Sequence, residues 1–215
     1  MTLTSPESLA IASCISAVFM AGSSHIRVNL LLFAVQSILI AAATAVTAVN
    51  FSESPLYLSA VATALINGIF IPAFLIWIIK KVEIHSDTGA TVPAPLLMQL
   101  CLCLIGFSYW FTGNLPLLSD GSGHLGATAA VSLVMTGLIL MLTRKVAVSQ
   151  IVGFLVIENG ISLFALTQTM GMPLIVETGI LLNVLVAVMI CGLLVFRIQK
   201  SFEHIDVTML SELRD

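Results

Sequence analysis

The stretch FLVIENGISLFALTQ, residues 154–168, is an almost unbroken apolar run that carries one carboxylate and one amide side by side. Glu158 and Asn159 have apolar neighbours on both sides, so the solvent around this segment decides what they do. Across the chain 59% of residues are hydrophobic and 9% are charged, and the mean hydropathy is +1.11. A soluble domain carries about 25% charged residues. The composition therefore predicts an integral membrane protein made mostly of spanning helices.

Apolar runs of spanning length recur along the whole chain. A helix needs about 20 apolar residues, within a range of about 17–25, to cross the hydrocarbon core. The pattern predicts an all-α, polytopic fold with seven transmembrane helices. They cover residues 6–24, 30–50, 56–79, 95–113, 124–142, 147–168 and 172–196.

The basic residues predict the orientation of these helices. All 8 Lys and Arg residues fall in connections on one side of the predicted bundle, or in the tail after the seventh span. Cytoplasmic loops carry the excess of Lys and Arg in membrane proteins. We therefore expect the N-terminus outside and the C-terminus in the cytoplasm.

Two carboxylates fall inside predicted spans. Of the 11 acidic residues, only Glu158 and Glu177 lie in spans, apart from Glu7 at the outer end of the first span. A charged group at mid-membrane costs about 2.5–3.5 kcal/mol on insertion scales, so such a residue should face protein or water. At ~1.5 Å of rise per residue, Glu158 lies about 20 Å from the cytoplasmic boundary, and Asn183 is at nearly the same depth on the neighbouring span. Glu158, Asn159 and Asn183 are expected at one level, with Glu177 about 10 Å further out.

Two interpretations of these polar residues stay open. A carboxyl removed from water is hard to ionise, so Glu158 and Glu177 could hold and pass protons as relays. Alternatively, a protonated Glu158 bonds to a neighbouring Asn or Ser and holds two helices together, Glu177 is a solvated helix start, and Asn183 forms a packing hydrogen bond.

Other polar groups in the spans have weaker functional signals. Pro72 lacks an N–H, which should free the carbonyl of Gly68 and kink the third span near Asn67. Such a broken helix can mark a transport site, although a simple kink is more common. Span two carries ordinary candidate interhelical donors, namely Gln36, Thr44 and Thr47.

Several function classes are excluded. No predicted span contains Lys or Arg, so a retinal Schiff base and a voltage sensor are excluded, and the net charge of −3 provides no basic field for nucleic acid. The four cysteines and four histidines have no metal-ligand spacing, and no nucleotide or hydrolase motif is present. We expect no metal and no cofactor in this chain, and no catalytic residue.

The C-terminal part resembles a known family of membrane subunits. The segments TRKVAVSQIVGFLVIENGISLF, VETGILLNVLVAVMICGLLVFRI and HIDVTMLSELRD are similar to the K-type (4L) subunit of complex I and to the C-type subunit of multisubunit cation/proton antiporters. With seven spans, an ENG helix and a VE-x-G start to the last helix, the chain resembles hydrogenase-4 component E. The matching positions are Gly153, Glu158, Asn159 and the Ile205-Asp206 pair.

The resemblance has two departures at the residues that matter most. The complex I family's helix carboxylate would fall at Leu155, whereas Glu158 lies one turn later on roughly the same face, a shift in depth of about 4.5 Å. The last helix of the family carries a deep carboxylate, where this chain has Asn183 and Leu185. Since an amide cannot carry a proton as charge, proton transfer through that helix would depend on Glu177 or water.

The resemblance implies a place in a larger assembly. It implies a multi-pass subunit in a prokaryotic inner membrane, within a group 4 hydrogenase of the formate hydrogenlyase type. Partners would be antiporter-like and quinone-site-type membrane subunits and peripheral nickel–iron and iron–sulfur subunits. Alternatives are an antiporter subunit, a structural scaffold or a stand-alone seven-helix protein. The expected organisation is a four-helix part at 1–123, a K-type-like three-helix part at 124–198 and a cytoplasmic tail at 199–215.

Overall fold

Long apolar helices account for the regular secondary structure of the chain in the computed structural model, which describes residues 5–51, 54–81, 92–115 and 123–169. The first helix begins where Ser5 accepts a hydrogen bond from the N–H of Ser8 and Pro6 occupies the first turn. In chain order the elements are α1 (Pro6–Gly22), α2 (Ile26–Phe51), α3 (Ser54–Leu65), a π-helical segment (Ile66–Phe70), α4 (Ile71–Lys81), α5 (Ala94–Gly113), α6 (Gly123–Thr143) and α7 (Ala147–Thr169).

The prediction of a helical membrane protein is confirmed in this part of the chain. Five helical stretches are long and apolar enough to cross a membrane, and α1 is a shorter apolar helix of 17 residues. Their exposed faces are apolar, as at Val28, Leu31, Val35 and Ile38 of α2, which suits lipid as the solvent. The five stretches are Ile26–Asn50, Leu56–Trp77, Ala94–Gly113, Gly123–Thr143 and Val148–Gln168.

The predicted seventh span and the tail lie outside the described residues. The seven-span count and the orientation therefore stay predictions. All described residues belong to one compact unit. Packing within it crosses the predicted boundary at residue 123, because α1 packs on α6 and α2 packs on α7.

The α6–α7 pair is packed so closely that glycine is required at its centre. A Cβ atom added at Gly137 would lie 2.7 Å from the carbonyl oxygen of Gly153, and one at Gly160 would lie 2.9 Å from the carbonyl oxygen of Ala130. Because these contacts are with backbone, no side-chain rotation could relieve them. Small residues let membrane helices approach in this way, since lipid offers no hydrophobic drive for their association.

Arg144, in the turn between α6 and α7, ties that turn to the end of α1. The residue is 3% exposed, and its Nη2 donates to the carbonyl oxygens of Met20 at 3.4 Å, Ala21 at 3.4 Å and Ser23 at 2.7 Å. The last carbonyls of a helix lack partners within the helix and carry partial negative charge, which a guanidinium satisfies. The α1–α2 and α6–α7 turns therefore lie at one end of the bundle.

We expect Gly137→Ala to destabilise the α6–α7 pair. The added methyl group meets backbone, and overpacking of this kind costs about 1–3 kcal/mol. Thermal unfolding of the purified chain in nanodiscs should show a lowered midpoint. Gly106→Ala on α5 is the matched control, because no atom lies within 4 Å of the added Cβ. Equal midpoints for the two variants would contradict this account of the packing.

Replacing Arg144 should weaken the junction between the two turns. Arg144→Met removes charge-assisted hydrogen bonds, which contribute about 1.5–3 kcal/mol each to stability. Arg144→Lys should lose less, because an ammonium keeps the charge but not the planar donor fork. The exposed neighbour Lys145 provides the control variant, Lys145→Met. The midpoints should fall in the order Lys145→Met, Arg144→Lys, Arg144→Met, from highest to lowest.

Candidate functional site

Glu158 is a buried carboxyl near the middle of α7. It follows the first residue of the helix, Ala147, by 11 positions in an element of 23 residues, which corresponds to about 16 Å along the axis. The residue is 2% exposed. Its Oε1 accepts a hydrogen bond from Nδ2 of Asn67 at 3.3 Å, and its Oε2 has no hydrogen-bond partner in the described structure.

Asn67 reaches Glu158 from the π-helical segment between α3 and α4. The N–H of Ile71 bonds to the carbonyl oxygen of Ile66, five residues back, in place of the usual four. Asn67 is 1% exposed. The predicted disturbance near Pro72 thus takes the form of a π turn within a helix that continues from Leu56 to Trp77. Such turns are frequent at functional sites, and this one presents a polar side chain to a carboxyl.

Asn159 faces a different helix from its neighbour Glu158. Its Nδ2 donates to Oε1 of Gln36 at 3.1 Å and to Oγ of Ser37 at 3.0 Å. Nε2 of Gln36 in turn donates to the carbonyl oxygen of Ser13 on α1 at 3.2 Å. These bonds link α7, α2 and α1 at one level. Gln36, Ser37, Asn67, Glu158 and Asn159 are hereafter the Glu158 cluster.

Three acceptors of the Glu158 cluster have no hydrogen bond in the described structure. The three amide nitrogens, of Gln36, Asn67 and Asn159, each donate to an oxygen. Three buried oxygens remain without a hydrogen bond in the described structure, namely Oδ1 of Asn67, Oε2 of Glu158 and Oδ1 of Asn159. A buried acceptor without a partner costs about 1–3 kcal/mol. The cluster therefore suits a ligand that carries positive charge or donates hydrogen bonds.

Glu158 also stands apart electrostatically. Within the described ranges, the other Asp, Glu, Lys and Arg residues lie at helix ends or in the α6–α7 turn. In this part of the chain the cluster therefore has one ionisable group, and the described helix interiors provide no cation to balance its charged form. His124, Thr112 and Thr128 form a separate polar group at the α5–α6 interface. There the Thr112 and Thr128 hydroxyls are 2.7 Å apart, and Nε2 of His124 lies 3.4 Å from Oγ1 of Thr112.

The structure brings together two of the four predicted site residues. Glu158 and Asn159 both belong to the cluster, whereas Glu177 and Asn183 lie outside the described residues. Leu155, the position implied by the family resemblance, is a fully buried core residue. Among the described residues, no group of three His, Cys, Asp or Glu side chains could hold a metal.

Some expectations from the sequence are corrected. The interhelical role predicted for Gln36 is confirmed, but Thr44 and Thr47 bond to Ile40 and Ala43 of their own helix, at 3.0 and 2.9 Å. These hydroxyls reach the carbonyl four residues back more readily than a neighbouring helix. Ser37 was missed, because one serine in an apolar run has no distinguishing pattern. The pairing of Asn67 with Glu158 spans 91 positions, and only the packing reveals it.

Comparison with known proteins gives one relative of uncharacterised function. The chain is 41% identical over 120 residues to the uncharacterized protein Rv0085 of Mycobacterium tuberculosis. The matched part covers 56% of this chain and 54% of that protein, so the chain spans about half the length of the relative it matches. No family model matches the chain. No solved structure matches it either.

The bonds of Asn159 to α2 should be measurable as a coupling free energy. In a double-mutant cycle of Asn159→Ala and Ser37→Ala, we expect a coupling of about 0.6 kcal/mol, with an upper bound near 1.7, as for other interhelical bonds in membranes. Denaturant unfolding in mixed micelles provides the measurement. Thr47→Ala is the control partner for Asn159→Ala, because its hydroxyl stays within α2, and that coupling should be close to zero. Coupling of similar size in both cycles would contradict the assignment.

Proposed function

We propose that this chain is a membrane subunit of a complex I-related, group 4 hydrogenase-type assembly, and that Glu158 is its proton-handling group. The observation that carries the proposal is a single carboxyl near the middle of an apolar helix, 2% exposed and held by one amide. Ionisable residues inside membrane helices are rare, face the protein interior and mark proton or ion pathways.

Support for the assembly comes from the sequence resemblance of residues 124–215, together with the position of Glu158 in α7. The proposal places the chain in a prokaryotic inner membrane, with the N-terminus outside. Nickel–iron and iron–sulfur chemistry would belong to partner subunits, and the antiporter-like and quinone-site-type subunits would be its membrane neighbours. This chain would contribute no catalytic residue and no cofactor of its own.

The Glu158 cluster has the chemistry for holding a proton and letting it go. Oε1 has a single amide donor and Oε2 has none in the described structure. A carboxyl with few fixed hydrogen bonds can rotate and meet a new partner, because its terminal torsion is soft. Glu177 and Asn183 remain candidates for the continuation of the path on the predicted seventh span.

A structural role is the second candidate, and the geometry of Asn159 favours it for that residue. Asn159 is 0% exposed and its amide donates to two groups on α2. This arrangement is typical of interhelical glue. We therefore assign Asn159 to assembly of the cluster and Glu158 to the proton, so that the two neighbours have separable roles.

The test is the replacement of Glu158 by Gln in the intact complex. Glu158→Gln keeps the size and the hydrogen bond to Asn67 but cannot hold an exchangeable acidic proton. We expect at least about a tenfold loss of proton pumping into inverted vesicles, with electron transfer and subunit composition retained, since removal of a relay group affects the coupled step. Normal pumping with normal assembly would favour a structural scaffold.

Two controls make the result specific. Glu7→Gln, at the first turn of α1, removes a carboxylate at a helix end and should leave pumping unchanged. Mass spectrometry of the purified complex tests the partners directly. Copurification of nickel–iron subunits is expected, whereas copurification of antiporter subunits without redox partners would place the chain in a cation/proton antiporter.

A further inference from the structure

We infer that the Glu158 cluster binds a monovalent, oxygen-seeking cation, Na⁺, at the carboxyl of Glu158 beside the π turn. This inference rests on the proposed function and names a second ion for the same site. It starts from the buried oxygens of the cluster that have no hydrogen bond in the described structure. A proton on Glu158 would satisfy one further acceptor, whereas three buried oxygens have no hydrogen bond in the described structure. One cation interacts with several oxygens at once.

The π turn supplies a further candidate oxygen on the segment whose Asn67 side chain contacts the carboxyl. Pro72 has no N–H, so one carbonyl of the preceding turn has no helical donor. In α-helical spacing this is the carbonyl of Gly68, and in the spacing of the π turn it is the carbonyl of Asn67. Asn67 and Gly68 are both buried, which keeps water from solvating these carbonyls freely. Broken membrane helices bind Na⁺ or protons through backbone carbonyls freed in this way.

The distances allow Glu158 and Asn67 to share one ion. Nδ2 of Asn67 lies 3.3 Å from Oε1 of Glu158. The free oxygen of each group is bonded to the same carbon as the atom that forms this hydrogen bond. The two free oxygens are therefore at most about 8 Å apart, and both belong to terminal torsions that are broad and soft. Hard cations take oxygen ligands at about 2.3–2.6 Å, so the two oxygens need to approach to within about 5 Å.

The charge of the site selects a monovalent ion. Glu158 is the one formal charge away from the helix ends in the described ranges. A single positive charge neutralises it, whereas a divalent ion would leave one uncompensated charge in a low-dielectric interior, at a cost of several kcal/mol. Na⁺ and the proton would therefore compete for the same carboxyl, and each would displace the other.

The test is direct binding of ²²Na⁺ to the full-length chain in lipid nanodiscs. We expect saturable binding of one ion per chain, displaced by NaCl and by acidification but not by choline chloride. Glu158→Gln and Asn67→Leu should each weaken binding by about 10–100-fold or more, the range found when groups around a metal site are removed. Pro72→Ala restores a backbone donor to the freed carbonyl and should also weaken binding. Ser108→Ala, which removes a buried hydroxyl on another helix, is the control.

The outcomes separate this inference from the proposed function. No saturable binding by the wild-type chain, or equal binding by wild type and Glu158→Gln, would overturn the sodium site and leave the proton role to be judged by pumping. Saturable binding that Glu158→Gln abolishes supports the site even if that variant does not impair pumping. Each variant is first checked for an intact thermal transition in choline chloride. If Asn67→Leu fails this check, the sodium site is judged by whether Pro72→Ala weakens ²²Na⁺ binding and whether acidification displaces the ion.

Discussion

Hydrocarbon offers no hydrogen bonds, and the whole structure follows from this constraint. Backbone N–H and C=O groups must find partners within the chain, so the described segments are helices, and their exposed faces are apolar. The same constraint acts where a helix is interrupted. Arg144 satisfies the last carbonyls of α1 at the end of the bundle, and the π turn after α3 lets the helix continue past Pro72.

The bundle combines two kinds of helix contact, and they have different purposes. Between α6 and α7, glycines remove side-chain volume and let the two backbones approach closely. On its other side α7 meets α2 and the π segment through amides, hydroxyls and one carboxyl. Close packing against α6 therefore positions α7, and the polar interface on the other side contains oxygens without hydrogen bonds in the described structure.

Glu158 and Asn159 illustrate how adjacent residues come to have different roles. Successive positions on a helix point about 100° apart, so the two side chains face different neighbours. Asn159 donates to a hydroxyl and an amide on α2, whereas Glu158 accepts from one amide on the π segment. Each of the two side chains has one oxygen without a hydrogen bond in the described structure. The two bonds of Asn159 to α2 are the basis for the structural role we propose for it, and the single amide partner of Glu158 is the basis for its proposed role with an ion.

The sequence by itself determined the class of the protein, the places of six helices and the position of Glu158 near the middle of its helix, because hydropathy and helix rise are local properties. Only the tertiary structure decided that Asn67 meets Glu158, that Arg144 caps α1 and that Thr44 and Thr47 stay within their own helix. These outcomes depend on which helix faces meet. In helices that are apolar all round, no periodic pattern marks the packing face, so residues distant in sequence acquire partners that only the packed bundle defines.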